Sequence, residues 1–291
     1  MNKKSLLWLT PMILLLFVTG RAWSEELPWD MKLPFQEATI HYELSGSEKG
    51  KETLYVKEYG KRQARHRSSV MTIMGMTKKT ETLEIVDPDW IYSYDLVEKK
   101  GSKTTNPNKL YREEYNKLSA GEKKNFEKNA KEMGSGMMGQ FGGSVTQKGG
   151  KVLGYDCDVV TVGGMSTVHV LHGSNISLRS ETSAMGMNNV QAATKIDTST
   201  AIPDNAFASP AGITAVRDEE AELMMAGMIK NTVDTLMKPD GAKLMQQAGP
   251  MGMMGAGDMQ QEEMEDAGMN QEEQQEAMRQ MREALERMQK K

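Results

Sequence analysis

Cysteine is almost absent: Cys157 is the only one in 291 residues, so no intrachain disulfide can form. The four histidines (His41, His66, His169 and His172) have no carboxylate or cysteine at metal-ligand spacing, which argues against a zinc centre. Gly-x-Ser-x-Gly and His-Glu-x-x-His are missing, and the glycine-rich stretch Gly142 to Gly150 lacks the Lys-Ser/Thr ending of a phosphate loop. These gaps leave no paired groups for catalysis, and the expectation is a non-enzymatic protein with no cofactor. There is no excess of basic residues: the net charge is −4, so nucleic acid is not an expected partner. Long apolar runs are also missing. The best one, Leu6 to Val18, falls short of the roughly 20 residues that cross a bilayer.

That short run has a meaning of its own. Lys3 and Lys4 precede it, Thr19-Gly20-Arg21 end it, and Ala22-Trp23-Ser24 place small residues where a signal peptidase reads. The layout predicts a bacterial secretory signal over residues 1–24, cleavage before Glu25 and a periplasmic protein. No transmembrane segment is expected after cleavage. No cysteine stands near the cleavage point to carry a lipid anchor. Removing the signal deletes three positive charges and moves the net charge to −7. The excess is late: from Arg217 to Lys291 there are 16 Asp/Glu against 9 Lys/Arg, while Glu25 to Val216 is balanced at 24 and 24.

From Phe35 onward apolar residues alternate with period two, as in half-buried strands. Ala38, Ile40, Tyr42 and Leu44 share one face of the first. Leu54 and Val56 continue the pattern, and Lys61 to Met74 follow, with Arg65 and Arg67 opposite His66 and Ser68. Thr77 to Val86 then turn Leu83 and Ile85 inward. After the turn Asp87-Pro88-Asp89, the residues Trp90, Tyr92, Tyr94 and Leu96 form an aromatic stripe that must pack on something. Lys109 to Met133 read as one or two amphipathic helices hinged near Ser119, and Gly134 to Gly150 as a loop. Strand texture returns at Lys151, with Leu153, Tyr155 and Cys157 on one face, and continues through Thr167–Leu171, Ile176–Ser183 and Val190–Ile196. About nine strands result, five before the helical insertion and four after it. Asp218 to Met237 and Gln271 to Lys290 read as helices, the second with a seam of Met278, Met281, Leu285 and Met288.

The implied fold is mainly β (α+β): a curved antiparallel open half-barrel lidded by the helical insertion, followed by a helical Met-rich C-terminal extension. The expected division is a signal peptide (1–24), the half-barrel (25–213) and an acidic, partly disordered tail (214–291). The segments ATIHYELSG, KETLYVKEYGKRQAR, TETLEIVDPDWIYSYDL, KVLGYDCDVVTV and ATKIDTSTAIPDNAF resemble an uncharacterised bacterial periplasmic family related to the outer-membrane lipoprotein carriers of the LolA/LolB-like fold. The resemblance spans roughly Phe35 to Pro210. It implies a half-barrel whose apolar concavity, which holds acyl chains in the carriers, is covered by helices. No ligand-binding residue of the carriers matches a position here.

The expected function is binding of an apolar ligand (an acyl chain, a lipid or an apolar peptide) in such a concavity. Its candidate lining is Ile40, Tyr42, Leu83, Ile85, Trp90, Tyr92, Tyr94 and Tyr155. Two alternatives come from other features. Methionine is abundant, at 26 residues, and Met71, Met74 and Met76 present soft thioether donors suited to Cu(I); the same side chains also serve as pliable apolar filler. The acidic segment 217–291 is a candidate docking element for an envelope protein. Arg62, Arg65 and Arg67 fit either a clamp for an anionic headgroup or a solvated strand face. Cys157, between two aspartates, reads as a buried apolar residue.

Overall fold

The computed structural model describes residues 33–73, 76–140, 143–184 and 187–253. The signal segment, Met74 and the helix expected over Gln271 to Lys290 lie outside them. Six strands come first: β1 (Ala38–Gly46), β2 (Glu48–Lys57), β3 (Arg62–Ile73), β4 (Met76–Val86), β5 (Trp90–Asp95) and β6 (Lys100–Thr105). Two helices follow, α1 (Pro107–Lys117) and α2 (Ala120–Gln140). The second strand group is β7 (Ser144–Val152), β8 (Tyr155–Val162), β9 (Ser166–Leu171), β10 (Ser177–Ala184) and β11 (Met187–Asp197). The short β12 (Ala215–Arg217) precedes α3 (Glu219–Leu236) and α4 (Gly241–Met253).

The twelve strands of the described residues belong to one open, curved sheet in the order β12-β6-β5-β4-β3-β2-β1-β11-β10-β9-β8-β7. It is two antiparallel meanders joined where β1 pairs β11, and only β12 runs parallel to its neighbour β6. The fold is therefore mainly β, as the alternation predicts. Three strands go beyond the nine expected. β6 (KGSKTT) has no apolar residue to signal it, and β12 has three residues. Part of the predicted loop 134–150 is β7, an almost wholly exposed edge strand, while α2 runs on to Gln140.

Register decides where side chains go. The ladders from β1 to β6 carry no bulge, so residues paired across strands share a face. One face carries Ala38, Ile40 and Tyr42, then Leu54 and Val56, then Arg65 and Arg67, then Thr82 and Glu84, then Ser93 and Asp95. The opposite face carries His41, Tyr55, Ala64, His66, Leu83, Ile85, Tyr92 and Tyr94. Apolar residues thus occupy the first face on β1 and β2 and the second on β4 and β5.

Among the described residues the two faces of the sheet thus bury separate cores. In the first, Ile40, Leu54, Val56, Cys157 and Leu178 are fully buried, and Leu33 and Phe35 pack on them from the chain before β1. In the second, Ala64, Leu83, Ile85 and Tyr94 are covered by Phe207, Ile213 and Ala215 from the stretch after β11. Polar bonds tie that cover down: His66 Nε2 lies 3.2 Å from the Ala206 carbonyl oxygen and the Tyr94 hydroxyl 2.7 Å from Ser209 Oγ. Gly101 permits the arrangement, because a Cβ there would stand 2.7 Å from the Tyr94 ring.

The helices form a bundle in which α1 packs on α3, α2 on α4 and α3 on α4. It touches the sheet at β6 through α3 and at β7 through α2, near the two opposite ends of the strand order. Caps fix the helix starts: Asn106 accepts the Asn108 N–H with Pro107 in the first turn, and Asp218 accepts the Ala221 N–H. Glu222 locks α3 to the sheet, accepting the Thr105 N–H and hydroxyl and pairing with Arg217 at 2.6 Å. At the far end the buried Asn129 amide donates to the Leu236 and Lys238 carbonyls at 2.8 and 2.6 Å, occupying acceptors that a helix terminus leaves open.

Candidate functional site

A hollow of about 780 Å³ lies over β3 to β6 and β12. Its side chains come from the face bearing Arg65: Thr82 and Glu84 of β4, Ser93 and Asp95 of β5, Lys100 and Ser102 of β6 and Val216 of β12. Lys99 and Thr214 complete the wall. Leu83 and Tyr94 contribute to its floor, although their side chains are packed in the second core on the other face. The lining is polar in its side-chain heads, with aliphatic stems and Val216 between them.

Beside one end of the hollow, on the same face of β2 and β3, lies an ionic network. Glu52 has a side chain with no exposure at all. Its carboxylate accepts from Arg65 Nη1 at 2.5 Å, Arg67 Nη1 at 3.2 Å and Gln191 Nε2 at 2.9 Å. Arg67 also pairs with Glu48 at 2.6 Å, and Glu48 accepts from the Ser69 hydroxyl. Burial works to raise the Glu48 carboxyl, but hydrogen bonds from Arg67 and Ser69 outweigh it and hold the group below the usual range. Burial likewise works against the Arg67 charge, and its two carboxylate partners raise it above its ordinary value. A second cavity of about 140 Å³ adjoins Glu48, Arg67 and Gln191. Tyr42, next to Glu52 in the ladder, has its phenol pushed up by burial and donates to the Ser177 carbonyl at 3.0 Å.

The eight residues expected to line one apolar hollow do not meet. Ile40, Tyr42 and Tyr155 belong to the first core, where Tyr155 meets Phe35 edge-on with ring centroids 6.3 Å apart. Leu83, Ile85, Tyr92 and Tyr94 belong to the second, on the opposite face. Trp90 lies beneath two cations, Lys103 Nζ at 4.7 Å and Arg217 at 5.5 Å from the ring centre. The arginine trio also divides: Arg65 and Arg67 share the Glu52 network, whereas Arg62 lies 5.1 Å from the Phe207 ring. Sequence reading passed over Glu84, Ser93, Asp95, Lys99, Lys100 and Ser102. For Glu84, Ser93 and Asp95 the available signal was their alternation with Leu83, Ile85, Tyr92 and Tyr94; Lys99, Lys100 and Ser102 had none.

Met71 pairs with Glu48 and Lys78, and Met76 with Ile73, while Met74 lies outside the described residues. Among the described residues no group of three or more His, Cys, Asp or Glu is arranged to hold a metal ion. His172 Nδ1 lies 2.7 Å from Asp158 Oδ1 at the end of β9. Cys157 is fully buried, and burial raises its thiol. Of the candidate docking segment, Arg217 ends β12, Asp218 caps α3, residues 219–253 hold α3 and α4 of the helical bundle with the turn between them, and residues 254–291 lie outside the described residues. No helix among the described residues is long and apolar enough to cross a membrane.

Neither a protein-family model nor a curated protein matches the chain. Solved structures do. A conserved protein of Thermus thermophilus, described as uncharacterized, matches with a TM-score of 0.34 at 8% identity, over 62% of this chain and 90% of its own. PNGF-II matches in two crystal forms with TM-scores of 0.29 and 0.30 at 12% identity. Those matches span 66% and 65% of this chain and about a third of PNGF-II, 32% and 33%.

Proposed function

We propose that the protein is an exported, periplasmic, non-enzymatic binding protein that holds an apolar or amphipathic ligand in the hollow over β3 to β6 and β12. The observation that carries this reading is the 780 Å³ space on the face of an open, curved sheet, a volume within the range typical of small-molecule sites. The signal-like N-terminus supports export. The resemblance to the lipoprotein carriers supports a ligand with an acyl chain. In this reading the chain lies along aliphatic stems and Val216, and the polar heads meet its other end. Native mass spectrometry of protein purified from cell envelopes, with displacement of a fluorescent fatty-acid probe, tests it. Bound lipid and displacement are expected; protein free of lipid that also leaves the probe undisturbed refutes it.

A further inference from the structure

We infer that the ligand of this hollow carries an anionic headgroup, and that Arg65 is the residue that receives it. The inference rests on the binding reading above and adds the chemistry of the ligand's polar end. A guanidinium has five N–H donors in a fixed fork. Among the described residues Arg65 has one ionic partner, the fully buried Glu52, reached through Nη1. Glu52 is itself held by Arg67 and Gln191. Arg65 is therefore anchored from the side by the neighbouring strand, its side chain remains 37% exposed, and it forms part of the wall of the hollow. An anchored fork with free donors is suited to a carboxylate or phosphate oxygen pair.

The other charges of the wall favour the same sign. Asp95 Oδ1 accepts the Val97 and Glu98 backbone N–H groups, so this oxygen is spent on the turn. Lys100 pairs with Glu98 at 2.8 Å. Lys99 sits in that turn at a φ of 55° and has no ionic partner among the described residues. Glu84 opposes Arg65 directly in the ladder, and among the described residues it has no hydrogen-bond partner. Three cations, Arg65, Lys99 and Lys100, thus stand among the lining residues against two carboxylates, Glu84 and Asp95.

Competition against a fluorescent fatty-acid probe tests this with the full mature chain and four competitors of one chain length: dodecanoate, dodecyl phosphate, dodecanol and dodecyltrimethylammonium. Both anions are expected to displace the probe at least about tenfold more tightly than dodecanol, the scale of one charge-assisted contact. Preference for dodecanoate or for dodecyl phosphate separates a fatty-acid-like from a phospholipid-like ligand. Arg65→Gln should remove the anion advantage and leave dodecanol unchanged, with circular dichroism checking the fold. Lys99→Ser, in an exposed turn, should weaken anions about threefold and provides the decision if Arg65→Gln does not fold. Equal binding of anions and dodecanol, tightest binding of the cationic amphiphile, or variants that leave the anion advantage intact would overturn the inference while sparing the binding reading. Failure of all four competitors would overturn both.

Discussion

Replacing Glu52 with Gln tests the physical account of the network beside the hollow. The substitution keeps the volume and one acceptor oxygen but removes the charge that Arg65 and Arg67 share. Breaking a buried ion pair from one side costs about 3–5 kcal/mol, because the partner charge is stranded. Here both arginines retain access to water, at 37% and 26% side-chain exposure, which places the expectation at the lower end, about 3 kcal/mol. For a folded region of this size each kcal/mol lowers Tm by about 2–4 °C, so a drop of about 6–12 °C is expected. Urea unfolding followed by tryptophan fluorescence should show a lower midpoint with an unchanged slope. A double-mutant cycle with Arg67→Gln should be non-additive by about 1 kcal/mol or more, since the second change removes one stranded charge. A loss below about 1 kcal/mol for Glu52→Gln, or strict additivity, would refute the claim that this carboxylate compensates both cations.

Four further outcomes follow from the packing and the charges. Leu178→Ala, at a fully buried site of the first core, should cost about 2–5 kcal/mol in chemical unfolding. Asn129→Ala should cost about 2 kcal/mol by freeing two carbonyls at the end of α3, with hydrogen exchange rising first at residues 236–241. Glu48 has a lowered folded-state pKa, so its contribution is present above the unfolded value of about 4.3 and is lost as pH falls through the lower folded value; Glu48→Gln should flatten acid unfolding in that window. Cys157, fully buried with its thiol pushed up, should resist a thiol reagent in the native state and react only on unfolding.

Much of the sheet was legible because period-two alternation is a local signal. β1, β9, β10 and β11 lie close to the runs that predict them, and the break between α1 and α2 falls at Ser119. The strands β6 and β7 were not legible, since each is held by backbone bonds to a neighbour and buries little of its own. The site was hidden for a different reason. Alternation identifies two faces of each strand but not which face of one strand joins which face of the next. β3 is the pivot. It presents Ala64 and His66 on one side and Arg65 and Arg67 on the other, so its sequence gives no apolar majority to carry the assignment across. Only the pairings Leu54 with Arg65 and Ala64 with Ile85 reveal that Ile40 and Leu83 face opposite ways.

The junction of β1 with β11 also has consequences in time. Thr39 meets Asp197 across 158 residues of chain, while every other antiparallel pair in the sheet is a near neighbour in sequence. Closing that loop costs about 2 kcal/mol more entropy than closing a ten-residue hairpin. Each meander is therefore able to zip early, and their union is the slow step of a high-contact-order topology. Until Met187–Asp197 arrives, the edge of β1 away from β2 stays open, an unpaired apolar rim on which a stray strand from another molecule could register.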